Sequence, residues 1–164
     1  MSQGLAEMLK NGRIINISSM ASFAIFPFIS PYCASKRCLD IFFNSFAIEN
    51  KKNISVVSIK PGVIATPLWG KSIIENSNSL QNCDGYENEM EFIANNARKN
   101  ELKGLPVDAV IEKILLADRL ENPKLSYTVG SDAFGAYIIS KLPQKIINLL
   151  IKYGLKLRMG SLFK

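Results

Sequence analysis

The stretch RIINISSMASFAIFPFISPYCASK (residues 13–36) sets the architecture. It begins with an apolar, β-branched run, RIINIS (13–18), of the kind that fills a strand buried on both faces. A segment with Phe23, Phe26, Pro27 and Phe28 follows. Pro31 then stands where a proline opens a helix, since its missing N–H would be an unpaired donor of the first turn in any case. The pattern predicts a long helix over 32–50. A strand, a helix and a second strand in succession imply a parallel sheet, because only a crossover returns the chain to run in the same direction.

Working outward, SQGLAEMLK (2–10) reads as the last turns of a helix stopped by Asn11-Gly12. Downstream, ISVVSIK (54–60) is a second buried-type strand ended by Pro61-Gly62, and the polar residues 71–88 read as loop. Helices are expected over 89–102 and 106–121, the second with Val107, Val110, Ile111, Ile114, Leu115 and Ala117 at helical spacing. LSYTVG (125–130) is a third strand, and two amphipathic helices divided at Pro143 finish the chain. Phe42, Phe43 and Phe46 make both sides of the 32–50 helix apolar, so one side is expected on the sheet and the other against a further partner such as a second subunit. The fold class is therefore α/β, a three-strand parallel sheet flanked by helices. Residues 1–164 read as one domain, without internal repeat, low-complexity segment or linker.

Apolar residues make up 48% of the chain and charged residues 21%, an ordinary globular balance. No apolar run is long enough to span a bilayer. Cys33, Cys38 and Cys83 are an odd set without metal-like spacing, and there is no His, which argues against a zinc site and for a reducing cytoplasm. The net charge of +6 is carried by residues 133–164, a basic helical tail with Lys141, Lys145, Lys152, Lys156, Arg158 and Lys164 and no acid. Such a tail is either a solvated helix or a contact for an anionic membrane surface. Nucleic acid fits less well, since no aromatic platform accompanies the charge.

In open parallel sheets, chemistry sits beyond the carboxyl ends of the strands. Ser18 and Ser19 follow the first strand, the segment from Pro61 to Thr66 follows the second, and Tyr32 begins the helix that starts at the same end. Tyr32 and Lys36 are four apart and share one helical face. A free phenol titrates near pH ~10, and a neighbouring ammonium favours the phenolate, so such a pair can act as an acid–base device on a carbonyl or alcohol. The spacing alone does not decide, because Tyr137 and Lys141 repeat it.

RIINISS, PYCASK and PGVIATP, taken together, closely resemble the second half of a short-chain dehydrogenase/reductase. That family sets a strand-end Ser thirteen residues before a Tyr-x-x-x-Lys, as Ser19 stands before Tyr32 and Lys36. A Pro-Gly with Ile and Thr at fixed offsets follows the next strand, matched by Pro61, Gly62, Ile64 and Thr66. Tyr137 fails both tests, since Lys124 stands thirteen before it and no such Pro-Gly follows. The resemblance implies a Rossmann-like doubly wound sheet and an NAD- or NADP-dependent oxidoreductase acting on an alcohol or carbonyl. It implies Ser19, Tyr32 and Lys36 as catalytic residues, and Tyr32, Lys36, Pro61, Gly62, Ile64 and Thr66 around the nicotinamide. Ser18, with the opposite strand-end orientation, is expected to be structural, and Cys33 and Cys38 to pack rather than react.

The departures from the family pattern are equally definite. The chain has no G-x-x-x-G-x-G turn, no Asn-Ala-Gly segment, no acidic or basic residue that chooses between NAD and NADP, and no helical Asn of the family's tetrad. The expectation is a C-terminal half lacking its nucleotide-binding half, with RIINIS left as a sheet edge and little activity alone, or else a non-catalytic remnant that binds a partner or membrane. Phe23, Phe26, Phe28, Leu68 and Trp69 fall where the family's substrate cleft lies, which favours an apolar substrate. The tail from VGSDAFGAY to KYGLKL also looks like retinol- and 17β-hydroxysteroid-dehydrogenase-like members. The resemblance further implies a homo-oligomer for the complete enzyme.

Overall fold

The computed structural model describes residues 12–50, 54–68 and 85–159. Strand β1 (Gly12–Ile17) leads through a short 3-10 turn (Met20–Ser22) into helix α1 (Ser30–Glu49) and then strand β2 (Ile54–Pro61). Helices α2 (Glu87–Lys103) and α3 (Asp108–Arg119) precede strand β3 (Ser126–Val129), and α4 (Ser131–Ile139) and α5 (Gln144–Met159) follow it. The strands form one parallel sheet in the order β1-β2-β3. Ile17 pairs with Ile59 and Pro61 with Val129, so all three strands end at the same edge. Among the described residues β1 is paired on one side only.

The two faces of β2 differ in chemistry. Val57 and Ile59 point to the apolar side, where they pack with Val110 and Ala117 of α3 and with Val129, all buried. Val56, Ser58 and Lys60 occupy the alternate positions and are also buried. On that second face Asn16 Nδ2 donates to Ser58 Oγ across the β1–β2 pair at 3.1 Å, and Lys60 meets Asp40 of α1. The strand is thus covered on both sides, by apolar packing on one and by Val56 with a buried polar network on the other.

Arg13 joins the start of β1 to the end of α3. Its guanidinium donates to the carbonyls of Ala117 and Asp118, and to that of Leu120 at 2.6 Å. These include carbonyls that the last helical turn leaves without intrahelical partners.

Element bounds fall within a few residues of those expected from the sequence. Glu87 and Asn88, expected in a loop, belong to α2. The Glu87 carboxylate accepts the Gly85 N–H at 2.9 Å, which explains an earlier helix start than the apolar pattern shows. The expected helix over 2–10 and most of the expected loop lie outside the described residues. On helix α1 the described chain supplies no partner for the outer side. Asp40 is its one buried residue, while Ile41, Phe42 and Ile48 are exposed, so the described chain covers only the sheet-facing side.

Candidate active site

The site is built where β1 and β2 end. Beyond Ile17 the ladder continues for one bond, Ser18 N–H donating to Ile59 O at 2.8 Å. The Ser18 hydroxyl is buried and has no hydrogen-bond partner among the described residues. Ser19 then caps the 3-10 turn. Its Oγ accepts the Ala21 N–H at 3.1 Å, and its carbonyl accepts both N–H and Oγ–H of Ser22. Because Ser19 Oγ is the acceptor in that bond, its own hydrogen remains available to another oxygen. Arg37 of α1 reaches the Ser22 carbonyl at 3.4 Å and ties the turn to the helix.

Tyr32 lies in the first turn of α1 and is 41% exposed. One turn on, Lys36 Nζ stands 5.8 Å from the centroid of the Tyr32 ring and donates to the Ile17 carbonyl at 3.2 Å. The ammonium therefore bridges the tyrosine and the carboxyl end of β1. The helical spacing produces a cation–π contact worth about 0.5–1 kcal/mol at such an exposed position. Tyr137 of α4 and Lys141, in the turn just after it, make a similar contact, 4.8 Å from Nζ to centroid, where the Tyr137 ring packs edge-on against Phe23 at 5.3 Å. Location at the sheet edge, not pair geometry, separates the two.

At the end of β2, the Gly62 N–H donates to Val129 O at 2.8 Å and the Val63 N–H to Asp132 Oδ2 at 2.6 Å. A Cβ on Gly62 would come within 2.1 Å of Asp132 Oδ1, so the close approach of this carboxylate already requires glycine there. Gly130, with φ of 101°, turns the chain from β3 into α4 and brings Asp132 back over the loop. The next residues are held by Leu105, whose N–H donates to Val63 O and whose carbonyl accepts from Ala65 N, both at 2.9 Å. Ile64 forms a parallel bridge with Leu105 there, and Thr66 follows half-buried. The Pro-Gly segment is thus a strapped backbone loop beside the end of β1.

Three polar residues of this neighbourhood were not singled out from the sequence. Asp132 is one. The others are Asp40 and Lys60, an ion pair at 2.7 Å whose side chains are only 2% and 9% exposed. No hydrogen-bond donor outside this pair satisfies the Asp40 oxygens among the described residues. Asp40 is four residues beyond Lys36 and eight beyond Tyr32, hence on their face of α1. Lys60 directly precedes Pro61, and its Nζ lies 4.3 Å over the Phe23 ring. The only sequence sign of the pair was the (i, i+8) spacing of Asp40 from Tyr32.

Beside the site opens a cleft of about 910 Å³, lined among others by Phe23, Phe26, Cys33, Tyr137, Ile147 and Ile151. Phe23 and Phe26 therefore border it. Phe28 does not line it and instead takes a left-handed backbone conformation, φ 70°, just before α1. Leu68 is exposed and Trp69 lies outside the described residues.

The groups at this edge suit the nicotinamide end of a dinucleotide: an ammonium beside a phenol at the end of β1, and a backbone loop at the end of the adjacent β2. No glycine-rich turn leading into a helix stands beside them, among the described residues, to receive a pyrophosphate. A parallel α/β sheet with a Ser, a Tyr-x-x-x-Lys helix and a Pro-Gly loop at its carboxyl edge defines a class of nucleotide-dependent fold.

Comparison with known proteins narrows the class. A family model described as short chain dehydrogenase matches residues 1–76. The NADPH-dependent 3-dehydrocapnine reductase of Ornithobacterium rhinotracheale is 32% identical over 120 residues, which are 73% of this chain and 42% of that protein. An uncharacterized oxidoreductase of Thermotoga maritima is 36% identical over 129 residues, 77% of this chain and 45% of that protein. The crystal structure of a short-chain dehydrogenase from Streptomyces avermitilis superimposes with a TM-score of 0.60 over 98% of this chain and 55% of that one, at 20% identity, a likeness of fold. The chain belongs to the short-chain dehydrogenase family, and it spans about half the length of the curated relatives it matches.

Proposed function

We propose that this chain is the catalytic, nicotinamide-facing part of an NAD(P)-dependent oxidoreductase that interconverts an alcohol and a carbonyl. The observation that carries the reading is Lys36 bridging the Tyr32 ring and the Ile17 carbonyl, beside Ser19 and the Gly62 loop. The nicotinamide cofactor, when bound, supplies or accepts the hydride. In the reducing direction Tyr32 gives its phenolic proton to the carbonyl oxygen, and Ser19 Oγ–H, left over from its capping bond, orients that oxygen. The Lys36 charge stabilises negative charge as it develops on the phenol oxygen, and its ammonium would hydrogen-bond the ribose of a bound nicotinamide cofactor. Pro61, Gly62, Ile64 and Thr66 would hold the nicotinamide, with Ile64 backbone groups and the Thr66 hydroxyl available to its carboxamide.

The apolar part of the cleft lining, Phe23, Phe26, Ile147 and Ile151, supports a lipid-like substrate, while Arg37, Lys60 and Lys141 in the same lining suit one that also carries a polar end. The relative named NADPH-dependent makes NADPH the cofactor to test first. Free Cys33 and Cys38 fit the cytoplasm, the exposed apolar side of α1 fits a homo-oligomer, and residues 133–164 form the basic tail of a single partial domain. In a panel of apolar ketones and aldehydes with NADPH or NADH, oxidation of the cofactor should fall roughly 10²–10⁴-fold in Tyr32→Phe. A Tyr32→Phe protein as active as the parent refutes the role of Tyr32. If no carbonyl is reduced by the longest reading frame that contains this chain, the oxidoreductase reading fails.

A further inference from the structure

Helix α5 carries two stripes that the described chain leaves uncovered. At 100° per residue its inward arc holds Ile147, which is buried, with Ile151, Gly154 and Leu155 half-buried. Ile147 and Ile151 line the cleft. On the opposite side Ile146, Leu149, Leu150, Tyr153 and Leu157 recur at i, i+3, i+4, i+7 and i+11 and make an apolar arc roughly 100° wide. All five are 44 to 68% exposed. Along one border of this arc Lys145, Lys152 and Lys156 form a single exposed row at the same helical spacing. No acidic residue lies anywhere in 133–164, and the six basic residues there account for the whole net charge of +6.

The combination selects among occupants. Solvent would favour polar residues on the outer arc. A second protein surface explains the apolar arc but gives no reason for a row of lysines without a single acid beside it. A bilayer surface with anionic headgroups explains both, since an interfacial helix sinks its apolar face to the headgroup–acyl boundary and sets its cations against the phosphates. A helix of 16 residues is suited to lying in that plane, and no described helix is long and apolar enough to cross the membrane.

We propose that α5 docks the chain on an anionic lipid surface, with Ile146, Leu149, Leu150, Tyr153 and Leu157 in the headgroup–acyl boundary and Lys145, Lys152 and Lys156 against the lipid phosphates. Docking stands apart from the roles of Tyr32 and Lys36. One consequence does rest on the proposed function: because the inner side of α5 lines the cleft, docking sets the mouth of an apolar-substrate site beside the source of such substrates.

The test is co-sedimentation of the full 164-residue chain with phosphatidylcholine vesicles, with and without phosphatidylglycerol. The chain should pellet with the anionic vesicles and be released by salt. Neutralising Lys145, Lys152 and Lys156 to Gln should weaken binding about fivefold for each lysine, roughly 100-fold together. Leu149→Ser/Tyr153→Ser should abolish retention on anionic vesicles at low salt, with an unchanged circular-dichroism melt because both positions are exposed. A parent chain that stays in the supernatant overturns the proposal, as does a lysine variant that binds like the parent. Sedimentation velocity covers the remaining occupant: self-association lost in Leu149→Ser/Tyr153→Ser, without vesicle binding by the parent, would assign the face to a second copy. None of these readouts uses catalysis, so they stand or fall separately from the oxidoreductase assay.

Discussion

Replacing Asp40 by Ala should destabilise the protein more than almost any other single change near the site. The change removes one member of a pair at 2.7 Å and leaves the Lys60 ammonium in a position only 9% exposed, under the Phe23 ring and without its anion. Stranding a buried charge in this way costs about 3–5 kcal/mol, a large share of the roughly 5–15 kcal/mol that holds a domain folded. Replacing both partners, Asp40→Leu with Lys60→Met, removes the two charges together and should recover most of the loss, because a well-packed apolar pair is often neutral or stabilising relative to a buried ion pair. Urea denaturation followed by circular dichroism gives the four free energies of the cycle, and the double change should be at least about 2 kcal/mol milder than the sum of the single changes. Additive single changes, or an Asp40→Ala loss below about 1 kcal/mol, would refute the reasoning and mean that water reaches the pair. Since Asp40 lies on the Tyr32–Lys36 face and Lys60 adjoins Pro61, the double variant should also separate fold from function: stable, yet with the site helix less firmly set against the loop.

Gly62→Ala should lower stability by about 1–3 kcal/mol in thermal melts, because its Cβ would overlap the Asp132 carboxylate, and Asp132→Ala in the same chain should return part of that loss. Arg13→Ala should cost about 2 kcal/mol in urea titrations, since the carbonyls of Ala117, Asp118 and Leu120 lose a charged donor, and Arg13→Lys should recover only part of it. The Gly85 N–H, and next the Glu87 N–H, hold the Glu87 carboxyl below its ordinary value of 4.5. The lowered folded-state value means that this cap stabilises α2 above the unfolded pKa and is lost as pH falls through the folded one. The protection of amides at the start of α2, relative to their intrinsic exchange, should therefore fall as pH drops below the ordinary value of 4.5 in the parent and depend less on pH in Glu87→Gln.

The first two strands were readable because RIINIS and ISVVSIK are rich in Ile and Val, a pattern suited to a covered sheet; β2 is buried almost throughout, whereas on β1 only Asn16 is buried, so the run overstated the cover of β1. Parallel direction then brought Ser19, Lys36 and the Pro61-Gly62 loop to one edge, and the structure has them there. Asp40 and Lys60 were not readable, since a charge on a helix or at a strand end looks like a solvated one until its partner, twenty residues away, is known. Asp132 was hidden for a similar reason, as an acid in a first helical turn is ordinary and nothing local reveals that it reaches back to Val63. The left-handed backbone at Phe28 has no sequence signal, because any L residue with a side chain is disfavoured there.

Strand β1 ties together parts of the molecule that are far apart in the chain. Its first residues hold the end of α3 through Arg13, more than a hundred residues away, and its last carbonyl receives Lys36 from α1. If β1 opens, α3 loses the cap on its last turn and Lys36 loses its anchor in the same event. This strand, an edge among the described residues, should thus set the boundary of a cooperative unfolding unit that includes both helices, and slow exchange at Ile14 and Ile15 would report the integrity of the catalytic edge as directly as any probe within it.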